Sequence, residues 1–147
     1  TRVMMLLAFG GLGATIASAA LTRAWPLNSG AEGWAGIVLN IAGIPLIILG
    51  ACIVIAVFAG SRKRTWAVDT DKLATAGIYG RTRNPRALGG FLIYVGVALA
   101  TGSGAVLVLA ALFLLGYLPW ILAEERALER HFGEEYRAYR ERTPRFI

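Results

Sequence analysis

Three long stretches of this chain carry no Asp, Glu, Lys or Arg, and they constrain its fold more than any other feature. They cover residues 3–22, 33–61 and 87–123. The first is about twenty residues long, the length that an α-helix needs to cross a hydrocarbon core of about 30 Å. The third is too long for one crossing, and Thr, Gly, Ser and Gly at residues 101–104 interrupt it. It therefore predicts a helical hairpin, with helices at about 87–100 and 105–123.

These stretches predict an all-α integral membrane protein with about four transmembrane helices, the last two forming the hairpin. We expect a single domain over residues 1–147. It comprises two N-terminal membrane helices in 1–60, a loop in 61–86, the hairpin in 87–123 and an amphipathic C-terminal helix within 124–147. Only 16% of the residues are charged and 56% are hydrophobic, whereas soluble domains average about 25% charged residues. The composition therefore argues against a soluble enzyme.

The charges outside these stretches predict the orientation in the membrane. Residues 60–86 hold seven basic and two acidic side chains, whereas residues 23–32 hold one charge of each sign. Because basic loops stay on the cytoplasmic side, we expect the N-terminus, the central loop and the C-terminus in the cytoplasm. Arg outnumbers Lys by thirteen to two, which favours a GC-rich bacterial genome and hence a bacterial inner membrane.

The net charge of +6 does not indicate nucleic-acid binding. A nucleic-acid-binding protein needs a basic face on a folded scaffold, whereas here the basic excess flanks apolar helices, where anionic lipid headgroups attract it. A metal site is not expected either. The chain has one Cys, Cys52, and one His, His131, which form no metal-ligand spacing.

Small residues in the second stretch predict how its helix packs. Gly36, Gly43 and Gly50 are seven residues apart, so they share one face and allow another helix to approach closely. Asn40 is a strongly polar side chain deep in the same helix. We expect it to form a hydrogen bond to a neighbouring helix rather than to contact a ligand.

The segment before the hairpin carries the first candidate site residues. Asn84 and Pro85 are typical of a helix start, with Asn at the N-cap and Pro in the first turn. The free N–H groups of a helix start favour an anionic group, and the planar guanidinium of Arg83 can hold a carboxylate at two points. We therefore expect this segment to bind an anion such as a carboxylate.

Two acidic residues, Glu124 and Glu125, follow directly on the last apolar stretch. Adjacent carboxylates at a membrane boundary are costly unless a cation or a hydrogen-bond donor meets them. Arg81, Arg83 and Arg86 are candidate partners, because the hairpin returns the chain to their side. Composition alone allows two interpretations of the pair, a functional site or a cap at the end of the membrane helix.

An amphipathic pattern follows the acidic pair. Leu128, Phe132, Tyr136 and Tyr139 recur at steps of three and four residues, and Gly133 breaks the pattern. It predicts an interfacial helix that lies along the lipid headgroups.

Two motifs together resemble a known family. They are Gly77-Ile78-Tyr79 with Arg83-Asn84-Pro85 and, after the short hairpin, Glu124-Glu125-Arg126 with Leu128, Phe132-Gly133, Tyr136 and Tyr139, and the chain closes with Thr143-Pro144-Arg145-Phe146. This pattern resembles the isoprenylcysteine carboxyl methyltransferase family and the related phospholipid N-methyltransferases. It covers about half of the chain.

The resemblance implies a membrane methyltransferase domain that uses S-adenosylmethionine. The methyl acceptor would be a lipophilic or prenylated small molecule that arrives among the membrane lipids and reacts at the cytoplasmic face. The implied catalytic residues are Arg83, Glu124 and Glu125. The implied cofactor-binding residues are Tyr79, Arg83, Asn84, Pro85, Leu88, Glu125, Tyr136 and Tyr139.

Two positions depart from the family pattern. The family usually has His where this chain has Asn84, and Tyr where it has Ala87. Asn can donate and accept hydrogen bonds but cannot carry a proton near neutral pH. Both departures concern the acceptor more than the cofactor, because the backbone and Arg83 would still hold the cofactor.

Two alternative functions stay open at this point. One is an NADPH-dependent membrane reductase of the sterol reductase type, which the small number of predicted membrane helices argues against. The other is a non-catalytic, lipid-binding membrane protein. The methyl acceptor, the methylated atom and the oligomeric state cannot be read from the sequence.

Overall fold

The computed structural model describes residues 34–60 and 72–147, and it is helical over most of both ranges. The described α-helices are α1 (Trp34–Gly60), α2 (Pro85–Thr101), α3 (Gly104–Phe132) and α4 (Glu134–Arg142), with a 3₁₀ turn at Gly77–Gly80. These two ranges contain no strand. The predicted helix in residues 3–22 lies outside the described residues, as do residues 61–71 of the predicted loop.

Helices α1 and α3 are long and apolar enough to cross a membrane. Only 17% of the most apolar window of each helix is buried, so neither is the core helix of a soluble protein. On α1, large side chains that are more than half exposed include Ile37, Ile41, Ile44, Ile48 and Ile55. Apolar surface of this kind is stable against lipid, and it indicates a membrane protein.

Helix α2 is shorter than its neighbours, and a tight turn joins it to α3. Its 17 residues span about 25 Å at 1.5 Å per residue. Gly102 ends the helix with φ 62°, and its N–H reaches the carbonyls of Ala98 and Leu99. The Ser103 hydroxyl then caps α3 by accepting from Val106 N at 3.4 Å. The turn therefore lies where the sequence predicts it.

Helix α3 continues past residue 123, where the predicted hairpin helix ends, and stops at Phe132. The residues beyond 123 are good helix formers, such as Glu, Arg, Ala and Leu, so no local feature stops the helix there. The first break is Gly133, with φ 53°. The segment predicted as one amphipathic helix is therefore divided between the last turns of α3 and the short α4.

Backbone contact between α1 and α2 depends on glycines, as predicted. Gly43 faces the carbonyl of Gly96, and a Cβ added to Gly50 would lie 2.6 Å from the carbonyl oxygen of Gly89. The side-chain amide nitrogen of Asn40 faces the carbonyls of Leu99 and Gly36, and it donates to Leu99 O at 2.8 Å. This bond joins α1 to α2 and confirms the predicted hydrogen bond between helices.

The C-terminal aromatic residues pack inward instead of lying freely along headgroups. Tyr136 and Tyr139 form a small core with Leu73, and Leu128 and Phe132 of α3 pack against it. Tyr136 is 1% exposed and Tyr139 4%. This core attaches α4 to the segment before α2, because both sides contribute to it.

We predict that Gly50→Ala destabilises the protein, because the added methyl group forces α1 away from α2. The loss in the free energy of unfolding should be about 1–3 kcal/mol. Gly116→Ala is the matched control, since Gly116 lies within α3 and no described residue would lie within 4 Å of its new Cβ. The thermal unfolding midpoint of Gly116→Ala should stay unchanged or rise slightly, because alanine stabilises a helix relative to glycine. Thermal unfolding in detergent measures both variants, and equal midpoints would contradict the predicted packing.

Candidate functional site

A cavity of about 280 Å³ lies at one end of the helices. Its walls come from Ala56 of α1, the segment 73–79, the first residues of α2, the second half of α3 and two tyrosines of α4. Its size is close to the lower limit of ligand pockets, about 300 Å³. The cavity therefore combines apolar walls from the helices with polar groups from the segments that flank the hairpin.

Most of the predicted site residues line this cavity. They are Tyr79, Arg83, Asn84, Pro85, Glu124, Glu125, Tyr136 and Tyr139. Leu88 lies further along α2 and is not among the described residues that line it. The hairpin explains the gathering, because α2 and α3 run in opposite directions and return the second motif to the first.

Glu125 is the centre of the polar contacts. Its carboxylate lies 3.2 Å from Arg83 Nη1, and it accepts from Arg145 Nε at 3.1 Å and from Arg145 Nη2 at 2.8 Å. The Glu125 side chain is only 12% exposed. The bond to Glu125 raises the pKa of the Arg145 guanidinium. Of the predicted cationic partners of the acidic pair, Arg83 is therefore confirmed for Glu125.

The other two predicted partners behave differently. Arg81 is exposed and is not among the described residues that line the cavity. Arg86 lines the cavity but forms no ion pair within 4 Å in the described ranges. Sequence reasoning missed Arg145, for which the only signal was its place in the closing Thr-Pro-Arg-Phe motif.

Asn84 is at the N-cap position of α2, as predicted, but its side chain makes no cap hydrogen bond. Its amide instead donates to Glu125 Oε1 at 3.3 Å and to the Arg145 carbonyl at 3.5 Å. These two hydrogen bonds orient the Asn84 side chain toward Glu125 and Arg145 rather than toward the N–H groups at the helix start. The prediction of a capping side chain is therefore wrong, whereas Pro85 occupies the first turn as expected.

The last residues of the chain bind to the segment that precedes α2. The Thr82 hydroxyl donates to the Arg145 carbonyl at 3.0 Å, and Arg83 N donates to the Pro144 carbonyl at 3.0 Å. Together with the Arg145 ion pair, these bonds fix the chain end against the start of α2. The site is therefore assembled from three segments that are distant in sequence.

The two tyrosines of α4 also form hydrogen bonds within the site. The Tyr139 hydroxyl donates to the Tyr79 carbonyl at 2.7 Å, and burial raises the pKa of Tyr139 to about 12. The phenol therefore stays protonated at neutral pH and remains a donor. Arg83 Nη1 donates to the Tyr136 hydroxyl at 3.5 Å, and burial also raises the pKa of Tyr136.

The neighbouring acidic residue, Glu124, has a different environment. It lines the cavity and is partly buried, but its carboxylate has no hydrogen bond or ion pair within 4 Å in the described part of the chain. Arg86 supplies the main opposite charge that acts on it. The two adjacent acidic residues are therefore distinct: Glu125 is paired within the protein, and Glu124 is available to a ligand.

We predict that Glu125→Gln destabilises the folded protein. The neutral amide leaves the Arg83 and Arg145 guanidinium groups without their counter-charge, which should cost about 2 kcal/mol. Glu134→Gln is the control, because Glu134 pairs with Arg137 at 2.7 Å but is 86% exposed. An exposed pair contributes about 0.5 kcal/mol. Unfolding midpoints in detergent compare the two variants, and equal shifts would show that the Glu125 cluster is not structural.

The chain matches the model of a protein family described as phospholipid methyltransferase. The match covers residues 38–135, about two thirds of the chain. The match covers most of α1, all of α2 and α3, and the beginning of α4. No curated protein and no solved structure matches the chain.

Proposed function

The chain belongs to the phospholipid methyltransferase family, and we propose that it transfers a methyl group from S-adenosylmethionine to a lipophilic acceptor at the cytoplasmic face of a membrane. The family and the two long apolar helices support a membrane methyltransferase. The observation that carries the proposal further is the cavity, because it gathers residues of both motifs at one end of the helices.

The proposed topology has four crossings, of which the described ranges contain α1, α2 and α3. The cytoplasmic side would hold the segment before α2, the last turns of α3, α4 and the chain end, which together carry most of the polar site. The excess of basic residues in 60–86 supports this orientation. We also propose a single domain over residues 1–147 in a bacterial inner membrane, which the preference for Arg over Lys favours.

The cavity residues fit S-adenosylmethionine, which carries a sulfonium, an ammonium, a carboxylate and an adenine. The Glu124 carboxylate has no protein partner in the described ranges and suits a cation. Apolar and aromatic side chains such as Leu73 and Tyr79 line the cavity and suit the adenine. We propose that Asn84, Pro85, Tyr136 and Tyr139, which also line the cavity, form the rest of the cofactor site. A role of Leu88 in cofactor binding stays a prediction.

The chemistry required of the protein is mainly alignment. Bound S-adenosylmethionine supplies a methyl group that its sulfonium already activates. Glu124 would balance positive charge beside the reacting atoms, since its carboxylate lines the cavity and has no ion pair within 4 Å in the described ranges. Arg83 and Glu125 would act by position, because their ion pair fixes the backbone at the start of α2. Alignment in a closed site lowers the entropic part of the barrier.

The two departures from the family pattern also suit this arrangement. Asn84 holds Glu125 and the chain end, a positioning role that needs hydrogen bonding and no proton transfer. Ala87 is 1% exposed and lines the cavity, so its small side chain leaves room that a tyrosine would fill. We propose that this room accepts part of the acceptor, which would enter from the membrane past Ala56 and Tyr117.

Ligand titration tests the proposed function. We expect S-adenosylmethionine and S-adenosylhomocysteine to raise the thermal midpoint of the detergent-solubilised protein, because a ligand that binds only the folded state stabilises it. NADPH should produce no shift, since it is the cofactor of the reductase alternative. A folded sample that responds to neither adenosyl ligand would contradict the proposal.

We predict that Glu124→Gln weakens adenosyl-ligand binding about tenfold or more, because a charge-assisted contact is lost. The variant should unfold at the temperature of the parent protein, since Glu124 has no partner in the described ranges. Glu135→Gln, the same substitution on the exposed surface of α4, is the control. Isothermal titration with S-adenosylhomocysteine measures all three proteins, and unchanged affinity in Glu124→Gln would exclude Glu124 from the site.

A further inference from the structure

Arg86 differs from the other cations of the site. Arg83 and Arg145 are paired with Glu125, whereas Arg86 has no ion pair within 4 Å and no hydrogen bond from its side chain in the described ranges. Its Nε atom is buried without a partner, as is that of Arg83, but Arg83 is otherwise paired through Nη1. A guanidinium has five N–H donors, and burying them unpaired is unfavourable. Arg86 therefore has donors and charge to offer to a group that enters the cavity.

The position of Arg86 in its helix is also unfavourable in the absence of an anion. It is the second residue of α2, after Pro85, and the first turn of α2 contains no acidic residue. The N-terminal end of a helix carries partial positive charge, so a cation there is repelled. Natural sequences break such a local rule mainly at functional sites, and an anion bound at Arg86 would remove the conflict.

The surroundings of Arg86 indicate the kind of molecule that would bring this anion. The cavity that Arg86 lines also has Ala56 of α1, Ala87 of α2 and Tyr117 of α3 in its wall, so the guanidinium shares this cavity with an apolar surface. Among the described helices, α1 and α3 are long and apolar enough to cross a membrane. An anionic group at Arg86 would therefore suit an apolar chain that extends along the membrane helices.

We propose that Arg86 is a specificity-determining residue that selects an acceptor carrying an anionic oxygen group, either a carboxylate or a phosphate. This proposal rests on the proposed function in calling the bound molecule an acceptor. Binding of an anionic group at Arg86 does not itself depend on methyl transfer. A planar guanidinium holds both groups at two points.

The test measures binding of defined amphiphiles to the purified protein in a neutral detergent. The probes are a labelled fatty acid for the carboxylate, a labelled phosphatidic acid for the phosphate, and the corresponding fatty alcohol as the uncharged reference. The parent protein should bind one of the acids more tightly than the alcohol, and the preferred acid identifies the source. Arg86→Gln should weaken acid binding about tenfold or more and leave alcohol binding unchanged.

Two further variants control for charge and folding. Arg81→Gln removes an equal charge from an exposed position on the same segment, and it should bind the acids within about twofold of the parent, because exposed charges contribute little. Arg86→Lys keeps the charge but lacks the planar fork. Arg86→Lys should bind the preferred acid more weakly than the parent protein does. This comparison tests the inference if Arg86→Gln does not fold.

The outcomes separate this inference from the proposed function. Acid binding that is unchanged in Arg86→Gln and Arg86→Lys, or lost equally in Arg81→Gln, would overturn the inference. Loss of S-adenosylhomocysteine binding in Arg86→Gln would also overturn it, because Arg86 would then belong to the cofactor side. If the parent binds acids through Arg86 but binds no adenosyl ligand, the inference stands and the proposed function fails.

Discussion

The ion pair between Glu125 and Arg145 is the interaction on which the rest of the site depends. The two side chains meet through two bonds, at 3.1 and 2.8 Å, and Arg83 and Asn84 bind the same carboxylate. A carboxylate that is only 12% exposed requires such partners, since burying it unpaired would be costly. This one group thereby ties together the start of α2, the C-terminal part of α3 and the chain end.

Because the cluster uses Glu125, Arg83 and Arg145, it determines which charges remain for ligands. Glu124 and Arg86 line the same cavity and have opposite charges, yet neither forms an ion pair in the described ranges. Glu124 suits a cation, and Arg86 suits an anion beside an apolar wall. The paired cluster therefore shapes the site, and the unpaired residues give it its proposed selectivity.

Much of this arrangement could be predicted, because it follows from local patterns. Stretches without charge predict α1 and the hairpin, and Gly102 and Ser103 mark the turn. The spacing of the two motifs predicts Tyr79 and the acidic pair as site residues. Arg145 and the side-chain bonds of Asn84 could not be predicted, since they depend on contacts between segments that lie 20 to 61 residues apart in sequence. The different environments of Glu124 and Glu125 likewise arise from packing, because adjacent helix residues point in different directions.

The central claim is methyl transfer to a membrane-borne acceptor, and one assay tests it directly. The purified protein would be placed in nanodiscs with a bacterial lipid extract and methyl-labelled S-adenosylmethionine, with protein-free nanodiscs as the blank. The account predicts label in the lipid fraction that rises with time and protein concentration. A folded protein that binds S-adenosylmethionine but leaves the lipid fraction at the level of the blank would contradict it.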